Sequence, residues 1–198
     1  MEPVTVITGT MVPLPRANVD TDQIMPKQFL KRVERTGYGE FVFYDWRRDE
    51  PDFVIDRPEH RDAKVLVAGA NFGSGSSREH APWGLQDWGF DALIAPVFAD
   101  IFRNNCTKIG LLPVELSEKE CQWLMELAES DPTAEIVVDL SEQTVTYGDE
   151  FEARFEIDPF TKYRLLNGFD DIGLTMQHAS DIDDFERSRP AFKPTLGS

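Results

Sequence analysis

Cysteine is scarce in this chain: Cys106 and Cys121 are the only two. They make at most one bridge, which excludes a disulfide scaffold and leaves a reducing cytoplasm as the expected compartment. They also fall short of the usual ligand set of an iron–sulfur cluster or structural zinc, so this chain is expected to bind neither. Histidine occurs only at positions 60, 80 and 178. Positive charge is in deficit, and the net charge of −16 argues against a nucleic-acid partner, because phosphate backbones need a basic surface. No apolar run approaches the length of a membrane helix. The opening "MEPVTVITGT" lacks the charged-then-apolar pattern of a signal, so no membrane association is expected.

The chain of 198 residues has no internal repeat and no low-complexity tract. One domain over 1–198 is expected, with a helical and then loose tail from about residue 179. Short apolar runs at 4–8, 65–68, 92–95 and 111–114 read as strands. Several are too short and continuous to alternate, as in a sheet buried on both faces. Helix-length segments at 76–88 and 97–105 lie between them, a β-α-β-α-β rhythm of α/β architecture. Alternating runs at 135–140, 143–147 and 151–157, with turns at 141–142 and 148–149, read as an antiparallel meander. The sheet content is therefore mixed.

"SEKE" at 117–120 reads as a capping box that starts a helix over 121–129. "SSRE" at 76–79 reads as another, with Ser76 as N-cap, although Pro82 moves the effective start of that helix later. A further helix is predicted over 160–176. Ile182 and Phe185 have the spacing of one helical face and predict a short docked helix near the C-terminus. Phe98, Ile101 and Phe102 are expected to face the core from the helix after residue 97, and Cys106 to be a small buried filler. The four tryptophans read as core or interface residues.

The stretch richest in chemistry is "NFGSGSSREHA" at 71–81, between a buried strand and a helix start. Such a place offers free N–H groups and the positive end of a helix to an anion. The dinucleotide pattern fails because Arg78 stands where a third glycine is needed. A Walker loop is absent, and the hydrolase elbow lacks its closing glycine. A Ser–His dyad has no specific support. What remains is a backbone freed by Gly73 and Gly75 to approach a ligand, the hydroxyls of Ser76 and Ser77, and an Arg78 fork suited to a carboxylate. The plain alternative is a capped helix with Arg78 on the surface.

"NFGSGSSREHAPWGL", with "NVDTDQIMPKQFLKRV" at 18–33 and "FADIFRNNCTKIGLLPV" at 98–114, resembles the small subunit of bacterial 3-isopropylmalate dehydratase, the swivelling component of the aconitase superfamily. The three motifs fall in order along essentially the whole chain. The resemblance implies a three-layer β/β/α swivelling domain with mixed sheet. It implies isomerisation of 2- to 3-isopropylmalate by loss and return of water through isopropylmaleate, in leucine biosynthesis. It further implies a partner large subunit that carries a [4Fe-4S] cluster, and a small hydroxy-dicarboxylate substrate. Ser76 matches the family's general base. Arg78 matches its substrate-carboxylate ligand, and Ser77 is expected to lend its backbone N–H. The family commonly has cysteine where this chain has Ser74, a nearly isosteric change that removes an oxidation target.

Other positions keep two readings. His80 reads as a loop-orienting residue or as a second general acid. Asp20, Thr21 and Asp22 read as turn and capping residues that shape the site, or as part of a metal loop that lacks further carboxylates at the right spacing. Lys27, Lys31 and Arg35 recur every four residues, with Arg32 adjacent. They read as a solvated helix face or, in Lys31 and Arg32, as cations for a dianionic substrate, next to apolar surface from Phe29, Leu30 and Val33. Gly37 and Gly39 suggest flexibility just beyond. Asn104, Asn105 and Lys108 are candidates to approach the site from the following turn, which local sequence alone does not establish.

Overall fold

The computed structural model describes residues 1–31 and 36–189. Strands Val6–Gly9 (β1) and Met11–Leu14 (β2) open the chain and enter different sheets. Short helices Thr21–Ile24 (α1) and Tyr44–Asp49 (α2) follow, with single 3-10 turns around them. The core alternation then runs β3 (Val65–Ala68), α3 (His80–Trp88), β4 (Ala92–Ala95), α4 (Asp100–Ile109), β5 (Leu112–Glu115) and α5 (Glu118–Ser130). The meander is β6 (Ile136–Asp139), β7 (Thr144–Tyr147) and β8 (Phe151–Arg154). Helices α6 (Pro159–Asn167), α7 (Asp171–Met176) and α8 (Ala179–Ser188) end the described chain.

The mixture of strand directions is divided between two sheets. One is parallel, in the order β2-β3-β4-β5; the other is antiparallel, in the order β1-β6-β7-β8. The parallel sheet is buried on both faces, as its continuous apolar runs predict. Val65 and Val67 turn toward the antiparallel sheet and pack in one core with Ile136, Val138 and Cys121. Leu66 and Ala68 turn the other way, into a core with Leu85 of α3 and Phe102 of α4. The layers are thus antiparallel sheet, parallel sheet and helices, the expected β/β/α order.

Several local expectations are revised. The first predicted strand, 4–8, runs instead over Val6–Gly9, and β2 has no counterpart in the sequence reading. Helix α3 begins at His80, not Ser76: residues 76–78 are not helical, and Glu79 caps without a side-chain bond. Pro82 then occupies the first turn, where its missing N–H breaks no helical bond. The helix predicted over 160–176 is two, broken where Gly168 turns left-handed (φ +67°) and Asp170 caps a new start by accepting from the Gly173 N–H at 2.6 Å. Ile101 is 53% exposed, while Phe98 and Phe102 are buried. Gly39 is buried rather than flexible: a Cβ there would meet the Asp87 carbonyl carbon at 2.9 Å, so the residue permits close approach to α3. The "SEKE" box forms as read, with Ser117 and Glu120 bonding reciprocally.

Candidate functional site

The glycine loop, residues 71–79, leaves the end of β3 and crosses to the start of α3. It is held by the segment after β2, which also lies at a strand end of the parallel sheet, where ligands of such sheets bind. The Val19 carbonyl accepts from the N–H groups of Gly73 (2.7 Å) and Ser74 (3.1 Å), and the Thr21 N–H donates to the Ser74 carbonyl at 2.9 Å. Asn18 and Asn71 both adopt left-handed backbone (φ +56° and +59°), and the Asn71 side-chain amide donates to Asn18 Oδ1 at 2.9 Å. On the far side Phe72 forms a bridge to Phe98, ahead of α4. The loop is therefore stitched at both edges before it reaches Gly75.

Gly73 is the tightest point. Its φ is +77°, and a Cβ would lie 2.1 Å from Phe102 Cγ. Gly75 follows at φ +87°. This double left-handed turn lifts Ser76 and Ser77 into solvent. Among the described residues the backbone N–H groups of Ser76, Ser77 and Arg78 find no acceptor, so they are available to an anion. The Ser76 carbonyl accepts from the buried Thr21 hydroxyl at 2.9 Å, which fixes the orientation of the serine from below.

Arg78 is mostly buried and forms a two-pronged ion pair with Asp22, with Nη2 donating to Oδ2 at 3.2 Å. Asp20 caps α1 by accepting from the Gln23 N–H at 2.8 Å, and Gln23 returns a bond to the Asp20 N–H. Within the chain the "NVDTD" residues cap α1 and brace Arg78. Among the described residues no group of three or more His, Cys, Asp or Glu has the arrangement to hold a metal. Cys106 and Cys121 are buried in separate cores. Burial pushes both thiols up, Cys121 to about 12.

His80 packs edge-on against Tyr38, with ring centroids 5.3 Å apart, and lies 4.8 Å from Trp83. Partial burial holds its imidazole below the usual range; Glu79 opposes that shift and Arg78 adds to it. Asn105 and Lys108 meet Glu79, Trp83 and Ile109 around a cleft of about 210 Å³ between α3 and α4, one residue from Arg78. Asn104 instead lines a hollow of about 560 Å³ with Glu115 and Asp158, which includes no residue of the loop.

The basic stretch is not gathered on a helix face in its described part. Lys27–Phe29 is a single 3-10 turn, and Lys31 is exposed just beyond it. Arg32, Val33 and Arg35 lie outside the described residues. Phe29 stacks on Phe41 at 4.1 Å and Leu30 packs against the same core, so part of the expected apolar surface is engaged within the chain. The Thr21–Ser76 bond and the Asn18–Asn71 pair were not foreseen. The asparagines at 18 and 71, a residue type that tolerates left-handed backbone, were the available signal.

Comparison with known proteins agrees with this architecture. Residues 1–119 match the model of the aconitase C-terminal domain, and residues 123–159 a model described as LeuD_N. Residues 171–197 match the model of the C-terminal domain of the 3-isopropylmalate dehydratase small subunit. A 3-isopropylmalate dehydratase small subunit from Rubrobacter xylanophilus is 57% identical over 99% of this chain and 100% of its own length. This chain belongs to the 3-isopropylmalate dehydratase small-subunit family. The small subunit from Halalkalibacterium halodurans is 55% identical over 96% of this chain and 100% of its own. A crystal structure of 3-isopropylmalate dehydratase from Methanocaldococcus jannaschii, 23% identical, covers 90% of this chain and 98% of its own with a TM-score of 0.67, a likeness of fold. Among the described residues no helix is long and apolar enough to cross a membrane.

Proposed function

We propose that this chain, as one unit over residues 1–198, is the small subunit of a 3-isopropylmalate dehydratase. With a large subunit it interconverts 2-isopropylmalate and 3-isopropylmalate through isopropylmaleate, a step of leucine biosynthesis. The observation that carries the proposal is the braced loop: Ser76 stands exposed at its crest, two residues from a partly buried arginine held by Asp22.

In this reading Arg78 binds a substrate carboxylate with the face of its guanidinium fork not taken by Asp22. Ser76 Oγ, as alkoxide, removes the proton on the carbon next to a carboxylate, and the electron pair left behind forms the double bond as hydroxide departs. The N–H groups of Ser77 and Arg78 stabilise the serine oxyanion, where several aligned donors in a dry site each contribute about 3 kcal/mol. Return of the proton and of hydroxide, together one water, to the exchanged carbons gives the isomer. A [4Fe-4S] cluster on the large subunit supplies the Lewis acid for the hydroxyl group. His80 orients the loop through its ring contacts, and Gly73, Gly75, Asp20, Thr21 and Asp22 shape it. Lys31 and Arg32 are assigned to the substrate's charged groups on the strength of the resemblance. Two buried unpaired thiols suit a reducing cytoplasm.

The test is hydration of isopropylmaleate by this chain, by a cluster-loaded large subunit, and by the mixture. The expected result is activity in the mixture alone, lost in Ser76→Ala while the two chains still associate. Activity of this chain by itself, or near-normal turnover in Ser76→Ala, overturns the assignment.

A further inference from the structure

The last two helices carry their apolar side chains outward. Ile172 and Met176, four apart on α7, are 73% and 62% exposed; Ile182 and Phe185, three apart on α8, are 37% and 66% exposed. Neither helix contains a buried residue. This departs from the sequence reading, which placed a docked helix here. The helix forms, but its apolar residues are not covered by any of the described residues.

Helices of six and ten residues are below the length of about 12–15 at which an isolated helix becomes stable in water. Such segments ordinarily draw their stability from a packed apolar face, and here that face is open. Two further observations say what closes it. The first 119 residues match a domain described as the C-terminal part of aconitase, whereas residues 171–197 match a model described for the small subunit itself. A domain described as the end of a longer chain is, in a small subunit, attached non-covalently; of the two stretches beyond it that match small-subunit models, 123–159 packs into the core and the described part of 171–197 has the open apolar face. The charge pattern excludes the simplest alternative. Helix α8 carries Asp181, Asp183, Asp184 and Glu186 against one arginine, Arg187. A second copy, with a net charge of −16, would meet it with like charge.

We infer that α7 and α8 form a docking arm for the large subunit, seated in an apolar groove with a basic rim. The inference rests on the small-subunit reading above. Phe185 and Met176 anchor the arm and the α8 carboxylates set its orientation and rate of association, a division seen when apolar anchors are ringed by charge.

The experiment uses the full chain and the purified large subunit, with affinity measured by calorimetry at two salt concentrations. In the Met176→Ser/Phe185→Ser variant the expected Kd rises about tenfold or more. The melting temperature of the free chain stays unchanged, because both side chains are exposed, and kcat at saturating large subunit is retained. Asp183→Lys/Asp184→Lys is expected to weaken binding most at low salt. An unchanged Kd in the serine variant overturns the docking arm while leaving the small-subunit reading intact. So does a free chain that dimerises in sedimentation and loses the dimer in that variant. Failure of the wild-type chain to bind the large subunit overturns both.

Discussion

The Thr21 hydroxyl donates to the Ser76 carbonyl at 2.9 Å, joining two residues fifty-five positions apart in sequence. Thr21 is buried and Ser76 exposed, so the bond fixes the crest of the loop to the core. Without it, Ser76 is positioned only by the bonds at Gly73 and Ser74, which lie before the flexible Gly75.

Thr21→Val keeps the shape and removes that donor. A net hydrogen bond of this kind contributes about 1 kcal/mol, so the stability loss is expected to be small. Turnover is expected to fall by about tenfold to a hundredfold, since small misplacement of a reacting group is costly. Chemical denaturation and steady-state kinetics of the reconstituted enzyme separate the two effects. A large loss of stability with unaltered turnover per folded molecule would remove the positioning role.

Arg78→Lys retains the charge but not the fork. One ammonium cannot hold Asp22 in two-pronged fashion and also present a planar pair of donors to a substrate carboxylate. KM is expected to rise by roughly tenfold or more, about 1.4 kcal/mol or more of lost binding. A KM unchanged from wild type would place the substrate carboxylate elsewhere.

Gly73→Ala combines a left-handed φ of +77° with a Cβ 2.1 Å from Phe102 Cγ. Strain and overpacking each cost on the order of 1–3 kcal/mol, so the melting temperature should drop sharply. Phe102→Ala in the same chain removes the ring contacts but leaves its own Cβ 2.6 Å from the new one, and the backbone strain remains. Full recovery of the melting temperature in the double variant would contradict the left-handed requirement.

His60 is buried, and desolvation holds its pKa below the ordinary value of 6.5, with Glu59 opposing. The unfolded chain therefore binds a proton before the folded chain does. The stability contributed by the neutral imidazole is present above pH 6.5 and is lost as pH falls toward the depressed folded value. His60→Gln should flatten that part of the stability-against-pH curve, measured by urea unfolding between about pH 5 and about pH 7.5. An unchanged slope in the variant would assign the acid lability to other groups.

Cys106 and Cys121 should resist thiol reagents in the native chain, because both are buried and Cys121 is pushed up to about 12. Both should react at once in denaturant. Rapid native labelling of either would show that its core opens readily.

Much of the architecture was legible before the structure. The runs at 65–68 and 92–95 became β3 and β4 at the predicted positions because a strand buried on both faces needs an uninterrupted apolar stretch. The "SEKE" box formed because its partners are three residues apart. The "SSRE" box satisfied the same local pattern and did not form. There Gly73 and Gly75 turn the chain away, and Thr21 takes hold of Ser76 from a distant segment. Ile101 had helical core spacing yet faces solvent, since spacing gives a face but not which neighbour covers it.

The sequence by itself determined the strand and helix material, the acidic character, the shortage of metal-binding thiols and the family likeness of the three motifs. Each depends on residue type or on partners a few positions apart. Only the tertiary structure decided that parallel and antiparallel strands separate into two sheets, that Asp22 belongs to Arg78 and Thr21 to Ser76, and that the final helices leave their apolar faces open. Those contacts join residues far apart along the chain, and local pattern cannot choose among distant partners. The choice is made by packing, when the two sheets and the helices bury their cores together.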